Sequence, residues 1–165
     1  MQNKWDMATL EYEMVLASDR NSVSALGSLA NCKFFTGSIE EALRLAEQSI
    51  RLSPRNPQIW FPYFQIGRTR LLQSRIDDAI LWFDKARSAN PANPGIRALL
   101  ASAYGLKGET ERGAAELAEA RRLGREGAYS SITSMRAGPF GVPKLRALSE
   151  TTFFAGLRLA GVPDE

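Results

Sequence analysis

The residues of this sequence that could carry out acid–base chemistry are three groups of neighbouring carboxylates: Glu40 with Glu41, Asp77 with Asp78, and Glu109 with Glu111. Catalysis would require such groups to converge in a pocket. Each group instead lies near the start of a predicted helix, where the positive end of the helix dipole favours negative charge. We therefore interpret these carboxylates as helix-start residues and predict that the chain is not an enzyme.

The chain contains no histidine and only one cysteine, Cys32. The lack of histidine removes the commonest metal ligand and general base, which argues against a zinc site and against a Ser-His-Asp triad. Because Cys32 has no partner cysteine and lies in a predicted helix, we expect a small buried or half-buried thiol. The sequence therefore predicts no metal and no cofactor.

Charge and hydropathy argue against nucleic acid and membrane as partners. The 21 basic and 18 acidic residues give a net charge of +3 and are interleaved along the chain, whereas a nucleic-acid binder usually concentrates its basic residues. The longest apolar run, residues 59–64, is too short to cross a bilayer, and the N-terminal residues lack the apolar segment of a signal peptide. We expect a cytoplasmic protein.

Small residues recur at a nearly constant interval and indicate how the chain is organised. They are separated by 34, 37, 34 and 34 residues and lie at Ala8, Ala42, Ala79, Gly113 and Ala147. This interval is that of the tetratricopeptide repeat, in which antiparallel helices approach closely over small side chains. Residues 63–86, YFQIGRTRLLQSRIDDAILWFDKA, and residues 98–120 resemble the repeat best. We predict an all-α tetratricopeptide-repeat superhelix of antiparallel helix pairs with a degenerate C-terminal capping unit.

The phase of the repeat divides the chain into five parts. Residues 1–22 correspond to the second helix of a repeat whose first helix is missing, so the chain is expected to begin in mid-repeat, as if cut from a longer protein. Three full units follow, at residues 23–56, 57–93 and 94–127. Residues 128–165 are predicted to form the capping unit, with a break at the segment from Gly138 to Gly141.

The second unit is three residues longer than the others, and its entrance departs from the repeat. We expect Asn56 to cap an added helical turn, Pro57 to occupy its first position, and Pro62 to kink or restart the helix. Aromatic side chains are concentrated at this entrance, at Trp60, Phe61, Tyr63 and Phe64. We expect a partner to bind there.

A narrower resemblance is carried by RLSPRNPQIWFPYFQIG, ARRLGREGAYSSITSMRA and FGVPKLRALSETTFFAGLRLAGVPDE. Together these segments are similar to the C-terminal repeat region of bacterial class III adenylate/guanylate cyclase-like multidomain proteins. In such proteins a cyclase domain normally precedes the repeats. The resemblance implies a regulatory or interaction part of a signalling protein, without the cyclase activity.

The first helices of the units are predicted to line a concave groove, because stacked helix pairs form a superhelix. The residues expected to face a partner there are Asn31, Phe34, Phe35, Phe61, Phe64, Gln65, Arg68, Leu72 and Ser102. This mixture suits an extended protein segment or a helix with apolar anchors. We therefore predict a non-catalytic protein–protein interaction scaffold that binds a protein, a peptide or other domains of a parent chain.

The sequence leaves open three alternatives to a scaffold that binds a partner in this groove. The groove aromatics could be covered by the chain's own last helix, which carries Phe153, Phe154 and Leu157. The chain could also be a stand-alone adaptor. Finally, it could form a homodimer through an exposed apolar stripe of Trp5, Tyr12 and Leu16, left bare by the missing first helix.

Overall fold

A computed structural model describes residues 2–136, 138 and 141–165, without the side chains of residues 2 and 3. In this part of the chain the regular structure is helical, so the all-α prediction is confirmed. The helices are α1 (Gln2–Ser18), α2 (Val23–Phe35), α3 (Ile39–Leu52), α4 (Trp60–Leu72), α5 (Ile76–Ala89), α6 (Pro94–Lys107), α7 (Thr110–Leu123), α8 (Ile132–Arg136), α9 (Pro143–Ser149) and α10 (Ala155–Leu159). A π-helical segment, Glu150–Phe154, joins α9 to α10. We call this continuous run, residues 143–159, the C-terminal helix.

Helices α1 to α7 pack in chain order, each against the next. In addition α2 contacts α4, and α4 contacts α6. These three helices therefore lie side by side along one face of the array. The turns that follow them each contain a residue with positive φ: Gly37 at 88°, Ser74 at 58° and Gly108 at 85°. Since these positions are 37 and 34 residues apart, the turns repeat with the interval of the small residues.

The centre of the core lies where α4 meets α5. Phe83 is fully buried, and its ring lies so close to Gly67 that a Cβ atom there would stand 2.6 Å from the ring. Ala79 and Ala86 are also fully buried on the same face of α5. Small residues at this crossing thus make room for one large aromatic ring. The surrounding cluster contains Leu71, Ile96, Leu100, Ala103 and Tyr104.

The entrance to α4 contains the predicted added turn, which is formed by residues 57–59. Asn56 caps this turn, because its Oδ1 accepts a hydrogen bond of 2.7 Å from the amide of Gln58. The α-helix itself begins at Trp60 rather than near Asn56, which differs from the prediction. Pro62 consequently lies in the first turn of α4, where a backbone amide has no partner within the helix. The proline therefore neither kinks nor restarts the helix.

After α7 the chain leaves the repeat pattern. The amides of Ile132 and Thr133 in α8 donate hydrogen bonds of 2.9 and 3.0 Å to the carbonyls of Pro163 and Asp164. These bonds fix the C-terminal residues to α8. The predicted helix break falls partly on Pro139 and Phe140, which lie outside the described residues, as does Met1. Helices α2 to α7 lie within residues 23–127, and the division into repeat units stays a prediction.

Candidate functional site

The face formed by α2, α4 and α6 is partly covered by the C-terminal helix. This helix contacts α4 and α6, and its Leu145 packs in one cluster with Phe34 of α2 and Leu72 of α4. Further along, Phe154 and Leu157 pack against Ala101 of α6. The chain therefore occupies part of its own predicted groove with the apolar face of a helix.

Helix α6 and the C-terminal helix approach each other closely at two glycines. A Cβ atom on Gly105 would stand 2.2 Å from the carbonyl oxygen of Gly156, and a Cβ atom on Gly156 would stand 2.2 Å from the carbonyl oxygen of Ser102. The hydroxyl of Ser102 donates a hydrogen bond of 2.9 Å to the carbonyl of Phe153, within the π-helical segment. Ser102, a predicted groove residue, is thus fully buried in this contact.

Gln65, another predicted groove residue, joins α4 to α2. Its side-chain amide donates a hydrogen bond of 2.8 Å to the carbonyl of Gly27, and the residue is buried. Phe34 and Leu72 are buried as well. The structure therefore brings these three residues to the same side of the array but places them between helices.

Arg68 is a buried cation on this face, with 8% of its surface exposed. Its guanidinium carbon lies 3.7 Å from the centre of the Phe34 ring, and Nη2 donates a hydrogen bond of 2.7 Å to Asn31 Oδ1. The rings of Phe35 and Phe64 lie at 5.2 and 5.3 Å. These contacts hold the guanidinium in one orientation between α2 and α4.

The charge of Arg68 is not matched by a carboxylate. Among the described residues no acidic side chain pairs with it, and its buried Nε has no hydrogen-bond partner. Burial lowers the pKa of Arg68 to about 9, so the side chain remains charged at neutral pH. A desolvated cation–π contact contributes about 2 kcal/mol, whereas burying an ion costs several kcal/mol. The aromatic rings therefore offset only part of the cost.

Arg68 lies in the wall of an apolar pocket of about 300 Å³ beneath the C-terminal helix. Mainly aromatic and aliphatic side chains from five parts of the fold form the rest of the wall, together with the hydroxyl group of Ser149. Arg68 is the one charged residue among the described residues of that wall. The sequence pattern did not identify Tyr129, Met135 and Leu145 as residues of this site. They come from the segment around α8 and from the C-terminal helix. Phe153 belongs to the last helix, which the sequence offered as an alternative cover of the groove aromatics.

A second pocket of about 480 Å³ lies between the first half of α2 and the entrance to α4. Phe61 is half-buried in its wall, and its ring stacks on that of Phe64 with centroids 6.5 Å apart. Most of the polar groups in this wall are small: Ser24, Ser28, Ser49, Asn56 and Gln58. We call this pocket, which the C-terminal helix does not line, the open groove.

The neighbouring carboxylates take part in ion pairs and hydrogen bonds on the surface. Lys107 Nζ lies 3.0 Å from Asp77 and 3.2 Å from Glu109, and Lys33 Nζ lies 3.3 Å from Glu41.

Cys32 is buried, and this burial raises the pKa of its thiol. Within the described part of the chain, no group of three or more His, Cys, Asp or Glu residues is placed to hold a metal ion. No helix in residues 2–136 or 141–165 has the length and hydropathy needed to cross a membrane.

The face of α1 that was expected to be exposed is half-buried. The ring of Trp5 stacks on Phe35 at 4.5 Å, and Tyr12 and Leu16, which share this face by helical spacing, are half-buried. This face packs on α2. The strongly exposed apolar side chains of α1 lie on the other side, at Met7, Leu10 and Met14, with 58%, 62% and 72% of their surfaces exposed.

No protein-family model matches the chain, and no curated protein matches its sequence. Solved structures do resemble it. A crystal structure of MamA is 20% identical, with a TM-score of 0.66 over 95% of this chain and 89% of that chain. YrrB, described as a TPR protein with an unusual peptide-binding site, is 14% identical, with a TM-score of 0.60 over 95% of this chain and 78% of that one.

TTC0263, described as a thermophilic TPR protein in Thermus thermophilus, is 17% identical, with a TM-score of 0.62 over 89% of this chain and 75% of that one. At these identities the similarity concerns the fold. The predicted all-α tetratricopeptide-repeat superhelix is therefore confirmed.

Proposed function

We propose that this tetratricopeptide-repeat chain is a non-catalytic scaffold that binds a protein segment in the open groove. The observation that supports this proposal is the packing of the C-terminal helix: the face formed by α2, α4 and α6 already accommodates the apolar side of one helix. The open groove is lined mainly by the first half of α2 and the entrance to α4, and these are two of the helices that form this face. Of the residues predicted to face a partner, Phe61 is the one in its wall.

The chemistry of the open groove suits an extended segment with one apolar anchor. Phe61 presents a half-buried ring, and Ser24, Ser28 and Gln58 can hydrogen-bond to a peptide backbone. A few aromatic anchors usually supply most of the binding energy of such interfaces. Phe61 is therefore the side chain whose removal should weaken binding most.

We further propose that the chain serves as the C-terminal repeat region of a larger, cytoplasmic, bacterial cyclase-like signalling protein. The support is the resemblance of residues 51–67, 120–137 and 140–165 to such regions. In that setting, the segment bound in the open groove would belong to another domain of the parent chain or to a separate protein. A stand-alone adaptor would use the same groove.

Peptide selection from a random displayed library, followed by Kd measurements with the purified chain, tests the proposal. We expect Phe61→Ala to raise the Kd of the selected peptides by about tenfold or more, since the ring is the apolar anchor. Leu81→Ala is the matched control, because Leu81 lies on α5 with 53% of its surface exposed. Equal Kd values for Phe61→Ala and Leu81→Ala would contradict the assignment.

A second candidate function is self-association through α1. Met7, Leu10 and Met14 form an exposed apolar row at helical spacing, and a second copy could cover it. Trp5, Tyr12 and Leu16 would support this row from the α2 side.

The prediction for this candidate is a dimer in light scattering after gel filtration at micromolar concentration. The double variant Leu10→Glu/Met14→Glu should be monomeric, because two buried carboxylates at the interface would lack partners. Ser18→Glu, near the end of the same helix, serves as the charge control. A monomeric unmodified chain would exclude this candidate.

A further inference from the structure

The apolar pocket beneath the C-terminal helix has features of a small-molecule site that the scaffold function does not require. Its volume of about 300 Å³ lies at the lower end of the range for such sites, about 300–1,000 Å³. Its wall combines aromatic and aliphatic side chains with one charged group, Arg68. Small-molecule sites typically join an apolar cavity to a few fixed polar groups.

Two contacts fix the guanidinium group of Arg68 in the wall of this pocket. Phe34 covers one face of the group at 3.7 Å, and Asn31 accepts from Nη2 at 2.7 Å. Arginine N–H groups point outward in that plane. Nε is buried and out of reach of the pocket. The bond from Nη2 to Asn31 is the one side-chain hydrogen bond of this group to the described residues, so other N–H groups of the two terminal nitrogens remain for an acceptor.

The wall also indicates which kind of anion the pocket suits. A phosphate group carries up to two charges and is usually held by several cations or backbone amides. Here Arg68 is the one charged residue among the described residues of the wall. Apart from Tyr129 and Ser149, which carry hydroxyl groups, the side chains beside it are apolar, such as Leu99, Leu145 and Phe153. This composition matches one negative charge attached to an apolar body.

We propose that this pocket binds a small organic monocarboxylate with one aromatic or branched aliphatic group. The carboxylate pairs with Arg68, and the apolar group lies against Phe64, Leu99 and Phe153. This activity is separate from peptide binding in the open groove, because Arg68 lines the wall of this pocket and not that of the other.

The competing explanation is that Arg68 only joins α2 to α4 through Phe34 and Asn31. In that case an anion adds nothing, and a neutral molecule of the same shape binds equally well. A comparison of acid and amide in the unmodified protein separates the two explanations without a variant.

The experiment titrates the purified chain with 3-phenylpropionate, 4-methylpentanoate and their primary amides, by calorimetry and by amide chemical shifts. We expect at least one acid to bind more tightly than its amide, by about tenfold or more. The largest chemical-shift changes should occur at the backbone amides of Leu99 and Leu145. Acid and amide affinities that agree, no binding by either acid, or shifts away from these residues would overturn the proposal.

Two further arms complete the test. Arg68→Met should remove the preference for acid over amide, whereas Arg70→Met, a half-buried neighbour on α4 that is absent from the wall, should retain it. If Arg68→Met does not fold, the comparison in the unmodified protein decides. The tripeptide Gly-Gly-Phe carries the same carboxylate and ring, and tighter binding by this peptide than by 3-phenylpropionate would overturn the small-molecule assignment.

Discussion

Phe83→Ala is expected to lower the free energy of unfolding by about 3–5 kcal/mol. The side chain is fully buried at the α4–α5 crossing, and its ring fills the space above Gly67. Its removal loses the transfer free energy of the ring and leaves a cavity, because the helices on either side are held by other contacts. Since a domain of this size is stable by about 5–15 kcal/mol, this loss is a large part of the total stability.

Urea denaturation followed by circular dichroism measures this change. Leu81→Ala, on the same helix and 53% exposed, is the matched control and should change stability by no more than about 0.5 kcal/mol. A loss below about 1.5 kcal/mol in Phe83→Ala would show that Phe83 is not the centre of the core.

Gly105→Ala is expected to destabilise the chain by about 3 kcal/mol, at the upper end of what overpacking costs. The new Cβ atom would stand 2.2 Å from the carbonyl oxygen of Gly156, which belongs to the backbone of the C-terminal helix. Backbone atoms cannot turn aside as the end of a side chain can. The C-terminal helix would have to move away from α6 and would expose Leu157.

Gly27→Ala is the control, because its expected effect on stability has the opposite sign. At this helical position the added Cβ atom would lie 3.6 Å from Phe61, an ordinary contact. Alanine favours a helix over glycine by about 1 kcal/mol, so this variant should be neutral or more stable. The pair of variants is compared by thermal unfolding and by limited proteolysis near residue 143. Equal melting temperatures for the two variants would refute the close approach of α6 and the C-terminal helix.

Much of the helical array could be predicted from the sequence because the repeat interval is local information. The small residues at Ala42, Ala79 and Gly113 mark the second helices, and the left-handed turn positions follow the same interval. The entrance to α4 was harder to predict. Pro62 kinks a helix that starts near Asn56 but is harmless in one that starts at Trp60, and the sequence pattern does not distinguish these starts.

The candidate sites were less predictable because they depend on contacts between distant parts of the chain. Helical phase placed Arg68 and Asn31 on the same side, where they are hydrogen-bonded. It did not show that Arg68 lacks an acidic partner or that Leu145 lies in the same pocket wall. The approach of Gly105 to Gly156 depends on the position of a helix that carries no repeat pattern.

The C-terminal helix also changes how the array holds together. In an ordinary repeat array each unit contacts only its neighbours, so unfolding can begin at an end and spread unit by unit. Here one helix contacts α2, α4 and α6 together, through Leu145, the π-helical segment and Gly156. Separation of any one unit therefore disrupts packing that the others share. We therefore expect this helix to couple the unfolding of α2, α4 and α6, so that this part of the array behaves more like a single globular domain than like independent repeats.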